Sequence, residues 1–471
     1  MRTRTIGALL LTVGLVLGGV SAAAGSADDL SRALATEPPS EVAVSLLFMP
    51  LDGSGPRVAH EADRPLPPAS VQKLLTSAAA LDLLGPDHTF ATRILADHPI
   101  RAGRIEGDLY LQGEGDPFLV TERLWLLAHE AAMRGLHEVD GVLIVETEVV
   151  PALEAIRATE DRERAYAAPV SLLGVNFNAL TILVRPGEIV GGPAAVWLDP
   201  FPVPRVSIEG GVRTGRPGGR LRIDLDRAQR GAMEVWRVRG TIPIDAEPVR
   251  VRRAAREPAM LAGGILAGLL DQHGIHVDGI REGTVPELAE TVAEIRSLPL
   301  GEMLRSMNAW SNNFMADLLC TTLGDRETGR PGTARIAAWC RNRIGLAEVP
   351  AIADGSGLSI QNRVSAAQVV RVLRWASEQE KVFPDLYASL PRPGGEGTLR
   401  ERFDAELPPA VRAKTGTLAN RKVSALAGYV DHPTEGRYAF CILQRARAGS
   451  KVAVWELRNR EERWLDLFLR P

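Results

Sequence analysis

Two short motifs near opposite ends of the chain place the strongest constraint on its fold. Ser70-Val71-Gln72-Lys73 comes early in the 471 residues, and Lys414-Thr415-Gly416-Thr417 comes close to the end. If one site uses both, the two ends of the chain build one unit and the middle is looped out of it. In Ser-x-x-Lys the serine and lysine fall on one face of a helix, because residues i and i+3 are neighbours there. Pro67-Pro68 before the motif, an apolar run from Leu74 to Leu84 and the stop Gly85-Pro86 predict a buried helix that starts near Ser70. A serine at that N-terminus also meets the positive end of the helix dipole. Lys-Thr-Gly sits just before two β-rich runs, Val423 to Val430 and Tyr438 to Leu443. Gly416 lets a second backbone approach an edge strand closely.

Composition sharpens the case for the lysines. Of 55 basic residues, 50 are arginine and only five are lysine: Lys73, Lys381, Lys414, Lys422 and Lys451. Arginine keeps its proton in proteins, whereas lysine can lose it. Lys73 and Lys414 stand in apolar, turn-flanked contexts and are candidates for a chemical base. The other three have polar surroundings and read as surface residues.

A third element, Ser-x-Asn, has two candidates: Ser306-Met307-Asn308 and Ser311-Asn312-Asn313. The second directly precedes a helical run, FMADLLCTTLG, as expected of a loop that enters a helix. In an extended turn Ser311 and Asn313 would point the same way. The first pair reads as helix surface.

Together and in this order, the three motifs resemble the set shared by penicillin-binding proteins and serine β-lactamases. Roughly 240 residues separate Lys73 from Ser311, more than one compact transpeptidase domain needs. That spacing resembles the class C low-molecular-mass penicillin-binding proteins, where two extra domains lie between the first and second motifs. Further segments carry the likeness, among them YAAPVSLLGVNFNAL, DGSGLS, EGTLRERF and AKTGTLANRKVSALAGYV. Asn312 stands where that family usually has Asp, which touches only the local loop.

The resemblance implies an α/β (α+β) fold: an antiparallel sheet flanked by helices, with two smaller inserted domains. Residues 28–90 and 296–471 would form the transpeptidase-like domain. Residues 91–170 and 246–295 would form an inserted α/β domain, with a small all-β domain at 171–245 nested in it. It implies a serine-type D-Ala-D-Ala carboxypeptidase/endopeptidase that acts on peptidoglycan peptides and is inhibited by penicillin. Ser70 would be the nucleophile and Lys73 its base. Lys414 would be the second cation that lowers the proton affinity of Lys73. Ser311 would pass a proton to the leaving nitrogen. Asn313 would orient Lys73, and Thr415 and Thr417, spaced by Gly416, would grip the terminal carboxylate. The chemistry needs neither metal nor cofactor. Asp354-Gly355-Ser356-Gly357 and Glu114-Gly115-Asp116 read as plain glycine turns rather than cleft or metal loops.

The N-terminus reads as a signal peptide over residues 1–24. It has Arg2 and Arg4, an apolar run from Ile6 to Val20 that is short for a membrane span, and small residues at Ser21 to Ala24. The expected location is therefore the periplasm or cell envelope. Cys320, Cys340 and Cys441 form no C-x-x-C pair. Cys320 and Cys441 read as buried, inert thiols, and a Cys320–Cys340 bridge is left open. The net charge of −3 and the lack of a Lys/Arg-rich block argue against a nucleic-acid partner. Two rivals remain. A β-lactamase or esterase is disfavoured because no E-x-x-L-N follows Ser311. A non-catalytic cell-wall scaffold is disfavoured because every motif is intact.

Overall fold

The first strand of the chain is enclosed by its last. In the computed structural model Val42–Pro50 pairs antiparallel with Gly436–Ala446, so that Val42 faces Ala446 across the ladder. The sheet runs Val411–Leu418, Val423–His432, Gly436–Ala446, Val42–Pro50, Val58–His60, antiparallel throughout. The structure describes residues 25–37, 40–147, 163–200, 205–231, 233–325, 328–403 and 411–470. The segment 1–24, expected as a signal peptide, lies outside them.

Both faces of this sheet are covered, which is why its inner strand Val423–His432 is buried along almost its whole length. The helices Gly25–Thr36 and Val454–Leu469 cover one face, with Phe48, Phe440 and Phe468 stacked between the layers. The other face meets Gln72–Leu84 and Ala366–Ser377. The first of these helices is buried on every face from Gln72 to Leu81, as a helix through the middle of a domain must be. Gly85 ends it with φ +89°, an angle that favours glycine. The second is opened by a reciprocal cap: Ser365 Oγ accepts the Gln368 N–H, and Gln368 Oε1 accepts the Ser365 N–H.

Between the two halves of this unit the chain builds other sheets. One has the order Ile280–Gly283, Leu143–Glu146, Leu109–Gly113, Ala91–Ala96, Glu290–Arg296, and the helices Thr121–Met133 and Pro258–Gln272 share its core. Two three-stranded sheets come from residues 179–254, and Trp236 is buried at their centre. The α/β architecture with an antiparallel, helix-flanked sheet is the one expected. All three cysteines are free and buried, so Cys320 and Cys340 form no bridge. Burial pushes the Cys340 thiol up to about 12, and those of Cys320 and Cys441 well above the ordinary thiol range.

Candidate active site

The sequence analysis placed Ser70 at a helix N-terminus, and it stands one step before it. Ala69–Val71 form a tight 3₁₀ turn that leads into the helix Gln72–Leu84. Ala69 has φ +46°, a left-handed conformation that an L-residue adopts at a cost of about 1–2 kcal/mol. Strain of this kind next to a reactive side chain is stored at the site and sustained by the surrounding packing.

Lys73 is completely buried. Its Nζ lies 3.0 Å from Ser70 Oγ, 2.8 Å from Asn313 Oδ1 and 2.8 Å from the carbonyl oxygen of Ser356. Two of these partners, an amide oxygen and a carbonyl, can only accept. They engage two amine hydrogens whether the lysine is charged or neutral. The third tetrahedral direction faces Ser70 Oγ and holds either a proton or a lone pair. The orientation of the Asn313 amide is set by its other end, where Nδ2 donates to the Tyr166 carbonyl at 3.1 Å.

Of the two Ser-x-Asn candidates, only the second reaches Lys73. Asn308 of the first is buried in the helix Leu300–Ala309 and bonds Ser77 and Ser389. Ser311 is not in an extended turn, as expected from the sequence, but has φ +56°. The helix Leu300–Ala309 must end and the helix Asn313–Thr322 begin within three residues. The Asn312 N–H bonds the Met307 carbonyl, the closure that puts a left-handed residue at the position Ser311 occupies. Asn312 then caps the following helix through a bond from the Met315 N–H at 3.1 Å. Asn and Asp serve equally as such caps, so Asn312 in place of the family's Asp leaves the turn intact.

The strand Val411–Leu418 lies at one edge of the sheet, with Lys414 and Gly416 on its inward face. A β-carbon on Gly416 would come within 2.9 Å of the Ser70 nitrogen, so the strand packs directly on the turn that carries Ser70. Thr415 points the other way and donates to Thr398 Oγ1 at 2.7 Å, while Thr417 is exposed. Lys414 is fully buried and Nζ bonds the Thr415 carbonyl. Burial first, and the Lys73 ammonium second, push the Lys414 amine well below its ordinary value. Ser70 Oγ, Asn313 Oδ1 and the Ser356 carbonyl all lie within 3.0 Å of Lys73 Nζ.

The Asp354–Gly357 segment is a turn, as expected, and also a wall of the cleft. Gly357 has φ +83°, and a β-carbon there would sit 1.8 Å from the Ala69 carbonyl oxygen. A Gly357→Ala protein is expected to lose roughly 3 kcal/mol or more of stability, read as a lower unfolding midpoint in denaturant. Tyr166, Phe177, Trp310, Ser311 and Asn313 line a groove of about 580 Å³ that opens beside these residues. No cluster of three metal-binding side chains occurs among the described residues.

Sequence reading missed Ser356, Thr398 and the Tyr166 carbonyl. Backbone acceptors leave no mark in a sequence, and only the quoted segments DGSGLS, EGTLRERF and YAAPVSLLG pointed towards them.

Residues 27–464 match the profile of the D-Ala-D-Ala carboxypeptidase 3 (S13) family. The chain belongs to that family. A D-alanyl-D-alanine carboxypeptidase from Actinomadura sp. (strain R39) is 33% identical over 447 residues, 88% of this chain and 80% of that one. Penicillin binding protein 4 from Haemophilus influenzae, solved in complex with a β-lactam, superposes with a TM-score of 0.73 at 23% identity, covering 95% of this chain and 100% of that one. A predatory peptidoglycan endopeptidase from Bdellovibrio bacteriovorus gives a TM-score of 0.53 at 16% identity, over 90% and 93% of the two chains. The S13 chain thus has the fold of the class C low-molecular-mass penicillin-binding proteins, a family of serine DD-carboxypeptidases and endopeptidases. No helix among the described residues is long and apolar enough to cross a membrane.

Proposed function

We propose that this S13 enzyme cleaves terminal D-Ala-D-Ala bonds of peptidoglycan peptides through an acyl-enzyme on Ser70. The observation that carries the reading is the 3.0 Å contact between Lys73 Nζ and Ser70 Oγ, with the remaining amine hydrogens tied to acceptors.

The substrate's terminal carboxylate docks on Thr415 and Thr417, beside Lys414. Its negative charge returns a proton to the Lys414 amine, and the like charge then favours neutral Lys73. The freed lone pair takes the Ser70 proton as Oγ attacks the penultimate carbonyl. The N–H groups of Ser70 and Thr417 hold the developing oxyanion. The C–N bond breaks as Ser311 hands its proton to the departing D-alanine nitrogen and takes in exchange the proton that Lys73 received from Ser70. Attack by water releases the shortened peptide and restores Ser70. Side chains and backbone handle every proton in this scheme. The same steps cleave a D-Ala cross-link, which is the endopeptidase reaction. A penicillin presents a strained amide and a carboxylate at a similar spacing, and acylates Ser70 in place of substrate.

Residues 28–90 and 296–471 are read as the catalytic unit, and the stretch between them as the inserted domains. The enzyme is read as exported to the cell envelope, after removal of residues 1–24.

Labelling the purified protein with a fluorescent penicillin tests the assignment. The intact protein should give one covalently labelled band, and Ser70→Ala none. A folded intact protein that takes no label sinks the proposal.

A further inference from the structure

The sequence gives the 354–362 loop no task beyond a turn, yet it supplies one of the three hydrogen bonds to Lys73. The contact is made by the Ser356 carbonyl, which no side-chain substitution can alter, so its position depends on what grips the loop. Asp317, in the helix Asn313–Thr322 and fully buried, accepts the Ser356 N–H through Oδ1 at 2.8 Å. Asp354 is 2% exposed. It accepts the Gly357 N–H at 2.6 Å, the Ser359 N–H at 2.7 Å and Asn362 Nδ2 at 2.9 Å. Thr76, one turn beyond Lys73 on the same helix, donates to the Gly355 carbonyl at 2.8 Å. Ser356 is therefore held on both sides, its N–H by a carboxylate and its carbonyl by the lysine. Two neighbouring buried carboxylates are an expensive way to shape a turn, which one Asn or Ser would close.

We propose that Asp354 and Asp317 are positioning residues for the reaction: together they fix the loop so that the Ser356 carbonyl aims the Lys73 amine at Ser70. The proposal rests on the reading of Lys73 as the base of Ser70.

The charged and titratable groups around Asp354 are Asp317 and Cys320 from the helix Asn313–Thr322, and Lys73 on the loop's own carbonyl. Burial first and the Asp317 charge second raise Asp354 to about 6. Cys320 is pushed well above its ordinary value and remains a neutral thiol. Below pH 6 a protonated Asp354 turns one oxygen into a donor that faces N–H donors, and the grip on the loop weakens. Stability moves the other way. The folded-state value lies above the unfolded one of about 3.9, so the folded protein binds this proton more tightly. The contribution of Asp354 to stability therefore grows as pH falls through 6, while acylation falls. A purely structural carboxylate would move the two together.

The experiment follows acylation of the full chain by fluorescent penicillin from pH 5 to 9, with unfolding midpoints on the same samples. Asp354→Asn should acylate roughly 10- to 100-fold more slowly at pH 7.5, with no loss of midpoint, and should lack the limb near pH 6. Asp317→Asn keeps an acceptor for the Ser356 N–H but removes the neighbouring charge, so the limb should shift below pH 6. Asp354→Asn acylating within twofold of the parent with an unchanged profile overturns the proposal. If that variant does not fold, an unmoved limb in Asp317→Asn overturns it instead. Label that persists in Ser70→Ala would strike the underlying assignment rather than this one.

Discussion

A Lys73→Arg protein is expected to acylate with penicillin at least about 10³-fold more slowly than the parent, the scale of a lost general base. Arginine keeps the charge and most of the length. It has no lone pair to offer at neutral pH, because guanidinium does not give up its proton. The buried pocket around Nζ, with acceptors at 2.8 to 3.0 Å, must also take a larger head group. Overpacking of that kind costs about 1–3 kcal/mol, so a modestly lower midpoint is expected beside the kinetic loss. Lys73→Met separates the two effects: it fits the pocket with less strain and should be equally inactive. Label at the parent's rate in either folded variant would remove Lys73 from the mechanism.

Replacing Ser311 by glycine should move activity and stability in opposite directions. Ser311 holds φ +56°, and glycine relieves that strain. The relief of about 1–2 kcal/mol is set against the larger unfolded-state freedom of glycine, roughly 0.5–1 kcal/mol, leaving a gain of up to about 1.5 kcal/mol. Loss of the hydroxyl that carries the proton to the leaving nitrogen should slow peptide turnover about 10²-fold or more. Ser311→Ala isolates the chemistry, since it loses the hydroxyl and keeps the strain. A Ser311→Gly protein that is both fully active and less stable would contradict both halves of this account.

Much of the site was legible because side chains with chemical duties have short, ordered spacings. Ser70 and Lys73 announce themselves at i and i+3, and Lys414 to Gly416 precede a readable strand pair. The helix Gln72–Leu84 and the closing strands follow from apolar runs with clear stops. The choice between Asn308 and Asn313 could be argued only from the helical run that follows the second. The conformation of Ser311 was hidden, because nothing in Trp310-Ser311-Asn312 spells a left-handed turn when glycine is absent. The acceptors around Lys73 were hidden too, because Asn313 and the Ser356 carbonyl come from 240 and 283 residues away. The clamp on Ser356 grips backbone groups, and nothing in the sequence says that the Asp317 and Asp354 side chains meet around them.

The pairing of residue 42 with residue 446 also governs the order of assembly. A chain made from its N-terminus presents Val42–Pro50 long before the hairpin that encloses it exists. Until then this segment has only the short strand Val58–His60 beside it and is an apolar strand with its other edge open, the kind that pairs with the wrong neighbour. Ser70 arrives early and must wait for the strand Val411–Leu418 before its surroundings are complete. Such long-range pairing is slow to form and exposes intermediates. The residues between can settle first, drawing the two ends of the chain together and shortening the search. Holding those ends in reach would make the interior of the chain an assembly jig for its own active site.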